Sequence, residues 1–349
     1  MAQPEYRDRA AAGIRALQRW YVPRSGLMRF VRPGRLWETT GWWQAANALT
    51  AVIRYTRHTG DAAHTGVIET TFRAAGQLHA DFVNWFFDDS AWWALAWIAA
   101  YDLTGEDRYL AAARTIFAHN LDGWDDTCGG GVWWNKERTY KNAITNELFV
   151  TMAAQLHQRT PGDRDYLGWA MRAWDWLYGS GMIGPDGLVN DGLTAACANN
   201  GGTTWTYNQG VILGGLAALY QMTDDQSYLR QGEVIADAVL SRLTNPSGIL
   251  TEPCEAAGSA GCDTNQTQFK GIFVRYLHEF CAHSGRPAYR AFLVANAGSV
   301  WDNARNAADQ FGLHWAGPFD KADASRQSSA VEVLTAAAAL PPPVTAPPR

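Results

Sequence analysis

Two adjacent carboxylates, Asp88 and Asp89, stand in the segment FFDDSAWW, flanked by Phe86-Phe87 and Trp92-Trp93. A single acid ahead of an apolar helix is ordinarily an N-cap worth about 1 kcal/mol. A pair is less favourable, because the two charges repel and aromatic walls raise the pKa of the less solvated acid. That splits the pair into one proton donor and one anion, the division of labour that hydrolysis of a glycosidic bond requires. A second pair, Asp125-Asp126 in GWDDTCGGGVWW, lies among glycines, where aspartate usually serves a turn. It is expected to touch a substrate at most. Glu147 and Asp191 are further acids suited to hydrogen bonding with sugar hydroxyls.

Other catalytic systems leave no trace. The sequence has no G-x-S-x-G elbow, no P-loop and no dinucleotide-binding glycine pattern. His278-Glu279 begins like a zinc-protease motif, but position 282 is Ala and His283 comes one residue late. The 8 histidines are scattered without metal-ligand spacing. Neither a metal nor an organic cofactor is expected.

The chain carries 17 Trp, 13 Tyr and 13 Phe. Pairs such as Trp42-Trp43, Trp92-Trp93 and Trp133-Trp134 cannot all point inward from one helical face, so some should line a groove. Flat apolar rings suit the C–H faces of sugars, though they suit other ligands too. A net charge of −5 with dispersed basic residues argues against nucleic acid as a partner. No run approaches the roughly 18 apolar residues that span a bilayer. The opening MAQPEYRDRAAAGIRALQRW has no apolar signal core and reads as an amphipathic helix with Ile14, Leu17 and Trp20 on one side. The expectation is a cytoplasmic monomer, or an extracellular one if a leader has been removed. Five cysteines (Cys128, Cys197, Cys254, Cys262, Cys281) show no CxxC spacing. Cys254 and Cys262 flank a short Gly/Ala loop; they either pair in an oxidising compartment or remain buried thiols.

The elements that must hold these residues come from a repeated theme. A turn with Gly or Asp precedes a Tyr that opens an amphipathic helix: TGEDRYLAAARTIF from Thr104, TPGDRDYLGWAMRAWDWL from Thr160, TDDQSYLRQGEVIADAVL from Thr223 and, more weakly, SGRPAYRAFLVANAGSVW from Ser284. Tyr109, Ala112, Ala113, Ile116 and Phe117 fall at i, i+3, i+4, i+7 and i+8, one apolar stripe on a helix with a wet face. Between these lie helices apolar nearly all round, such as Ala91 to Leu103 and Gly210 to Tyr220, which must be buried on every side. Outer helices are expected near Glu5, His64, Asp107, Asp163, Gln226 and Pro287, and inner ones near Thr40, Asp88, Thr139, Thr203, Thr267 and Ser325. Six of each make an all-α (α/α)6 toroid, a single domain over 1–340 with a proline-rich tail over 341–349. The rival is an open helical solenoid.

Alternating helix directions bring all inner N-termini to one mouth, together with their free N–H groups and dipoles. The segments there are polar and aromatic: ETTGWWQ, FFDDSAWW, TYKNAITNE, NNGGTTWTYNQG (with Trp205, Tyr207, Asn208 and Gln209) and DTNQTQFKG.

Taken together, FFDDSAWWALAWIAAYDLTG, GWDDTCGGGVWWNKERTYKNAITNELF, SGMIGPDGLVNDGL, NNGGTTWTYNQGVILGGL and QFKGIFVRYL resemble glycoside hydrolase family 76, the endo-acting α-1,6-mannanases, in order from about Trp42 to Glu332. The resemblance implies an (α/α)6 fold and a retaining mechanism, with Asp88 as nucleophile and Asp89 as acid/base. Retention needs the carboxyl groups roughly 5 Å apart, within reach of neighbours at a helix start. It further implies that Trp42, Trp43, Trp133, Asn208 and Gln209 line the pocket, and that the partner is an oligo- or polysaccharide, α-1,6-mannan. Family members acting on wall mannan are commonly secreted, a departure from the leaderless start. The alternatives are a related toroid enzyme acting as a transglycosylase or exo-glycosidase, a non-catalytic glycan-binding module and a helical scaffold for proteins.

Overall fold

The computed structural model describes residues 3–28, 41–160, 162–257 and 261–341. Twelve α-helices run through the described residues, in the places that the apolar periodicity predicts to within about a turn. The outer set is α1 (Gln3–Gln18), α3 (Gly66–Leu78), α5 (Asp107–Leu121), α7 (Arg164–Gly179), α9 (Gln226–Arg242) and α11 (Pro287–Asn303). The inner set is α2 (Trp42–Thr59), α4 (Phe87–Thr104), α6 (Ala143–Arg159), α8 (Thr206–Thr223), α10 (Phe269–Ser284) and α12 (Ala324–Ala339). Among the described residues the only sheet is a two-stranded antiparallel ribbon of Tyr21–Val22 and Leu27–Met28.

Local chemistry sets the boundaries. Asn142, Asp163, Asp225 and Asp323 cap α6, α7, α9 and α12 by accepting N–H bonds from Thr145, Asp165, Ser227 and Arg326. Gly60, Gly105 and Gly285 end α2, α4 and α10 in the left-handed conformation. Ile14 and Leu17 on α1 are fully buried, as the amphipathic pattern requires, and Trp20 follows just past the helix end.

Each inner helix packs on the next, α2 on α4, α4 on α6, α6 on α8, α8 on α10 and α10 on α12. Packing of α12 on α2 closes the ring, giving an (α/α)6 toroid and excluding the open solenoid. The inner helices touch backbone to backbone in places. A Cβ added at Gly210 would lie 2.5 Å from the Phe273 Cα, and one at Gly271 would lie 2.4 Å from the Ser329 Cα. A buried ion network binds the same seam: Glu332 on α12 accepts from Arg275 on α10 at 2.8 Å and from Arg54 on α2 at 3.2 Å. No described helix is long and apolar enough to cross a membrane.

The connections are unequal. Inner helices pass to outer ones through short turns at 105–106, 224–225 and 285–286, whereas outer helices return through long segments at 122–142, 180–205, 243–268 and 304–323. The long segments all gather at the inner N-termini, so irregular backbone, which can carry functional side chains, is concentrated at one mouth. Two disulfides are present. Cys254 pairs with Cys262, one of the two outcomes its spacing allowed, and Cys128 pairs with Cys197 across 69 residues, joining two of the mouth segments. Cys281 is a buried thiol. Glu38 to Thr40 of the expected α2 approach, and positions 342–349 of the expected tail, lie outside the described residues.

Candidate active site

Asp88 and Asp89 occupy the first turn of α4, where the helix dipole favours negative charge. Neither is the cap: that position belongs to Phe86, whose backbone is extended and makes no side-chain cap bond. An isolated bridge between Phe86 and Asn135 pins this entry against the segment that follows the Gly-rich loop. Both aspartates open into a cavity of about 350 Å³ at the mouth. Its walls are aromatic, with Trp43, Trp92, Trp134, Trp205, Tyr207 and Phe269 contributing rings. Its polar lining is Asp191 with the amides Asn142, Asn265 and Gln266; among the described residues no Lys or Arg takes part. A wall with acids, amides and rings but no cation suits an uncharged polyhydroxylated ligand and repels a polyanion.

The two acids differ in their partners. Trp134 donates its indole N–H to Asp88 Oδ2 at 3.1 Å, while Asp88 Oδ1 is buried with no protein partner. Asn84 donates to Asp89 Oδ2 at 2.7 Å. Burial, then the neighbouring Asp89 charge, push the Asp88 carboxyl well above the usual carboxylate range. Burial pushes Asp89 up to about 6 against the Asn84 bond. The pair titrates as a unit, and at near-neutral pH it can hold one proton between two carboxyls, as acid–base work on a glycoside needs.

The remaining acids divide. Asp191 reaches the cavity and accepts from the Tyr140 hydroxyl, itself held by Asn200 at 3.0 Å; burial raises its pKa despite the Tyr140 bond. Glu147 lies deeper on α6, completely buried. Asp125 serves the Gly-rich loop. It accepts from Lys141 Nζ at 2.8 Å and from Trp133 Nε1 at 2.7 Å. Burial pushes the Asp125 carboxyl up, but the Lys141 and Trp133 bonds outweigh it and hold the group well below the usual range. Lys141 also donates to the Thr127 and Gly130 carbonyls at 2.6 and 2.7 Å, so one buried ammonium gathers the loop. Asp126 is exposed, with Arg172 3.9 Å away.

Among the aromatic and amide candidates, Trp43 lines the cavity and donates to Asn265 Oδ1 at 3.3 Å. Trp42 turns the other way, onto His79 at 4.4 Å and Trp93 at 4.6 Å. Trp133 is spent on Asp125 and lies under Lys141 at 4.7 Å, and it is Trp134 that faces the aspartates. Trp205 and Tyr207 are in the wall, with Tyr207 stacked on Phe269 at 3.7 Å. Gln209 is buried and holds the Val189 backbone through both N–H and C=O, a tie between α8 and the 180–205 segment. Asn208 is buried beside it with neither amide atom paired. Tyr140, Asn265 and Phe269 join the wall although sequence reasoning named only their segments, and Phe86 and Trp134, singled out there as members of aromatic pairs, join it too.

A larger cavity of about 680 Å³ lies at the inner C-termini, the opposite end of the ring. Arg54 pairs there with Glu279 and Glu332, and Arg159 with Asp102. Burial and Arg54 push His58 and His278 there down to about 3, leaving both neutral. It holds no adjacent carboxylate pair.

Comparison with known proteins agrees with this architecture. A mannan endo-1,6-alpha-mannosidase of Eremothecium gossypii is 28% identical over 284 residues, covering 72% of this chain and 62% of that protein. One of Candida albicans is 28% identical over 330 residues, covering 84% of this chain and 72% of that protein. Relative to the first of these the chain thus spans less than two thirds of the length. The solved structure of an α-1,6-mannanase from Salegentibacter superposes with a TM-score of 0.85 at 24% identity, over 95% of this chain and 99% of that one. An inactive variant of that enzyme, with two aspartates replaced by alanine, was solved in complex with an α-1,6-linked mannotetraose. The family description "Glycosyl hydrolase family 76" matches residues 5–347, nearly the whole sequence. With the toroid and its carboxylate-bearing mouth, that match establishes that the chain belongs to glycosyl hydrolase family 76, a family of glycoside hydrolases.

Proposed function

We propose that this chain hydrolyses α-1,6-mannosidic bonds within a mannan backbone, endo-acting and with retention of anomeric configuration. The observation that carries the reading is the adjacent acid pair at the α4 N-terminus, opening into an aromatic cavity lined by acids and amides. The substrate comes from the relatives, which carry the name mannan endo-1,6-alpha-mannosidase, and from the Salegentibacter enzyme with its bound mannotetraose.

Burial leaves Asp88 the weaker acid of the free pair, so the shared proton passes to Asp89 as sugar enters; Asp88, oriented by the Trp134 indole, then attacks the anomeric carbon as an anion while Asp89 gives that proton to the departing glycosidic oxygen. The bond to the leaving sugar breaks and an ester to Asp88 forms. Asp89, now ionised, takes a proton from water as that water attacks the same carbon, which frees Asp88 and returns the proton to Asp89. Asn84 holds Asp89 in both halves of the cycle. The aromatic rings keep bulk water from the ester and present flat faces to the sugar. The two disulfides support an oxidising, extracellular setting for this chemistry.

Linear α-1,6-mannooligosaccharides of graded length test the reading. A ladder of shorter products, released first as the α-anomer by NMR, is expected, and Asp88→Asn and Asp89→Asn should each abolish it with the fold intact by circular dichroism. Elongated products would instead mark a transglycosylase and single mannose units an exo-glycosidase. Wild-type turnover in both variants would remove the aspartates from the reaction.

A further inference from the structure

Around the N-terminal turns of α4, α6 and α8 stand buried polar atoms without protein partners. Glu147, on the second turn of α6, is 0% exposed, and neither carboxyl oxygen has a protein hydrogen-bond partner. Asn208, on the first turn of α8, is likewise 0% exposed with both amide atoms unpaired. These two helices pack directly on each other. The third orphan is Asp88 Oδ1, on the first turn of the next helix round the ring. Tyr207, adjacent to Asn208 in sequence and part of the wall, feels the charges of Asp191, Asp88, Glu147 and Glu252, so these four acids lie within electrostatic reach of one phenol.

Interiors pair more than nine in ten of their buried polar groups. An ionised carboxylate with no donor on either oxygen is the least tolerable of the exceptions, whereas a protonated one needs only an acceptor and a neighbour to share water. Asn208 and Asp88 Oδ1 supply acceptors on the adjoining helices. We infer that Glu147 is a positioning residue kept as a neutral acid, sharing enclosed water with Asn208 and holding the inner oxygen of Asp88 at the angle needed for attack. The inference rests on the aspartate-pair reading above. The ionisable groups around these atoms are Asp88 on α4, Tyr207 on α8, Asp191 in the 180–205 segment and Glu252 in the 243–268 segment. Burial, then the Asp191 charge, push the Glu147 carboxyl upward, in the direction that neutrality requires. The role also accounts for the choice of residue: a leucine would fill the space but leave Asn208 and Asp88 Oδ1 without a shared partner.

Glu147→Gln and Glu147→Leu, measured beside the wild type, separate this role from simple packing. Glutamine is neutral, of the same shape and able to share the same water. It should leave the melting temperature and the pH profile of kcat/KM unchanged and keep kcat within about threefold. Leucine should lower kcat by roughly 30-fold or more while KM stays within about twofold. A glutamine variant as impaired as leucine, or one whose acid limb moves, means that Glu147 works as an anion and overturns the inference; so does a leucine variant with wild-type kcat. Should the leucine variant not fold, infrared difference spectroscopy decides. A protonated-carboxyl stretch present at neutral pH and lost in Glu147→Gln supports the neutral acid, and its absence from the wild type refutes it. That band needs no substrate, so it stands or falls apart from the mannan reading.

Discussion

Replacing Trp134 by phenylalanine removes one hydrogen bond and keeps a ring against Phe86, whose centroid lies 4.9 Å away. The bond removed is the indole N–H to Asp88 Oδ2 at 3.1 Å, the one side-chain bond that favours the ionised form of that acid. Without it the proton is held more tightly, so a smaller share of Asp88 is ionised at any given pH and the acid limb of kcat/KM moves to higher pH. A bond to a charged acceptor contributes about 1.5–3 kcal/mol, and about 1.4 kcal/mol is tenfold, so on the acid side of the profile the variant should lose on the order of 10- to 150-fold. The plateau above the limb should change far less, because Asp88 is ionised there in both proteins. The assay is kcat/KM on an α-1,6-mannooligosaccharide from pH 4 to 9 (about half-unit steps), with circular dichroism at each end to confirm the fold. A variant whose profile overlays the wild type would refute both the assignment of Asp88 as the anion and the role given to the indole.

Three other perturbations reach different parts of the molecule. Gly271→Ala sets a methyl 2.4 Å from the Ser329 Cα where α10 meets α12; a loss of about 1–3 kcal/mol in urea unfolding is expected, and an unchanged midpoint would mean that the seam is loosely packed. Lys141→Met removes the buried donor shared by Asp125 and the Thr127 and Gly130 carbonyls, while Asp125 keeps its Trp133 bond, so stability should fall by about 1–3 kcal/mol; a calorimetric melt within error of the wild type would contradict the bracing role. Glu252, which accepts from the Thr206 backbone N–H at 2.9 Å, is pushed up to about 8 by burial. A raised carboxyl contributes stability that is complete below the unfolded pKa and is lost as pH rises through the folded value. The wild type should therefore lose melting temperature relative to Glu252→Gln between about pH 4.5 and about pH 8, the unfolded and folded values, and parallel curves would show that this carboxyl does not titrate there.

Much of the architecture is legible in the residues. The period of 3.6 survives in every outer helix because each has one wet face, and the inner helices betray themselves by lacking one. Asp88 and Asp89 are legible because two like charges before an apolar helix are unfavourable unless the separation of their pKa values is used. Orientation within an aromatic pair is harder. Trp42 and Trp43 are about 100° apart on a helix, and Trp133 and Trp134 are neighbours in a non-helical loop, so only the fold decides that the second of each pair meets the cavity. Gln209 is indistinguishable from Asn208 by type, yet it is committed to the Val189 backbone while Asn208 is unpaired. The Cys128–Cys197 link, spanning 69 residues, has no local signal at all. Depth is equally invisible: nothing in TYKNAITNE tells that Glu147 lies beneath the mouth instead of on its rim.

The seam where the last inner helix meets the first has a consequence for how the chain is made. Arg54 and Glu332 touch across 278 positions of sequence, and α1 packs on α12. A ribosome releases the N-terminal end of that seam long before the other, so a nascent chain must wait with the flank of α2 bare until the final helix emerges. Assembly is therefore gated by translation of the C-terminal segment, and truncations before about residue 324 should be held by chaperones or aggregate instead of persisting as smaller folded units.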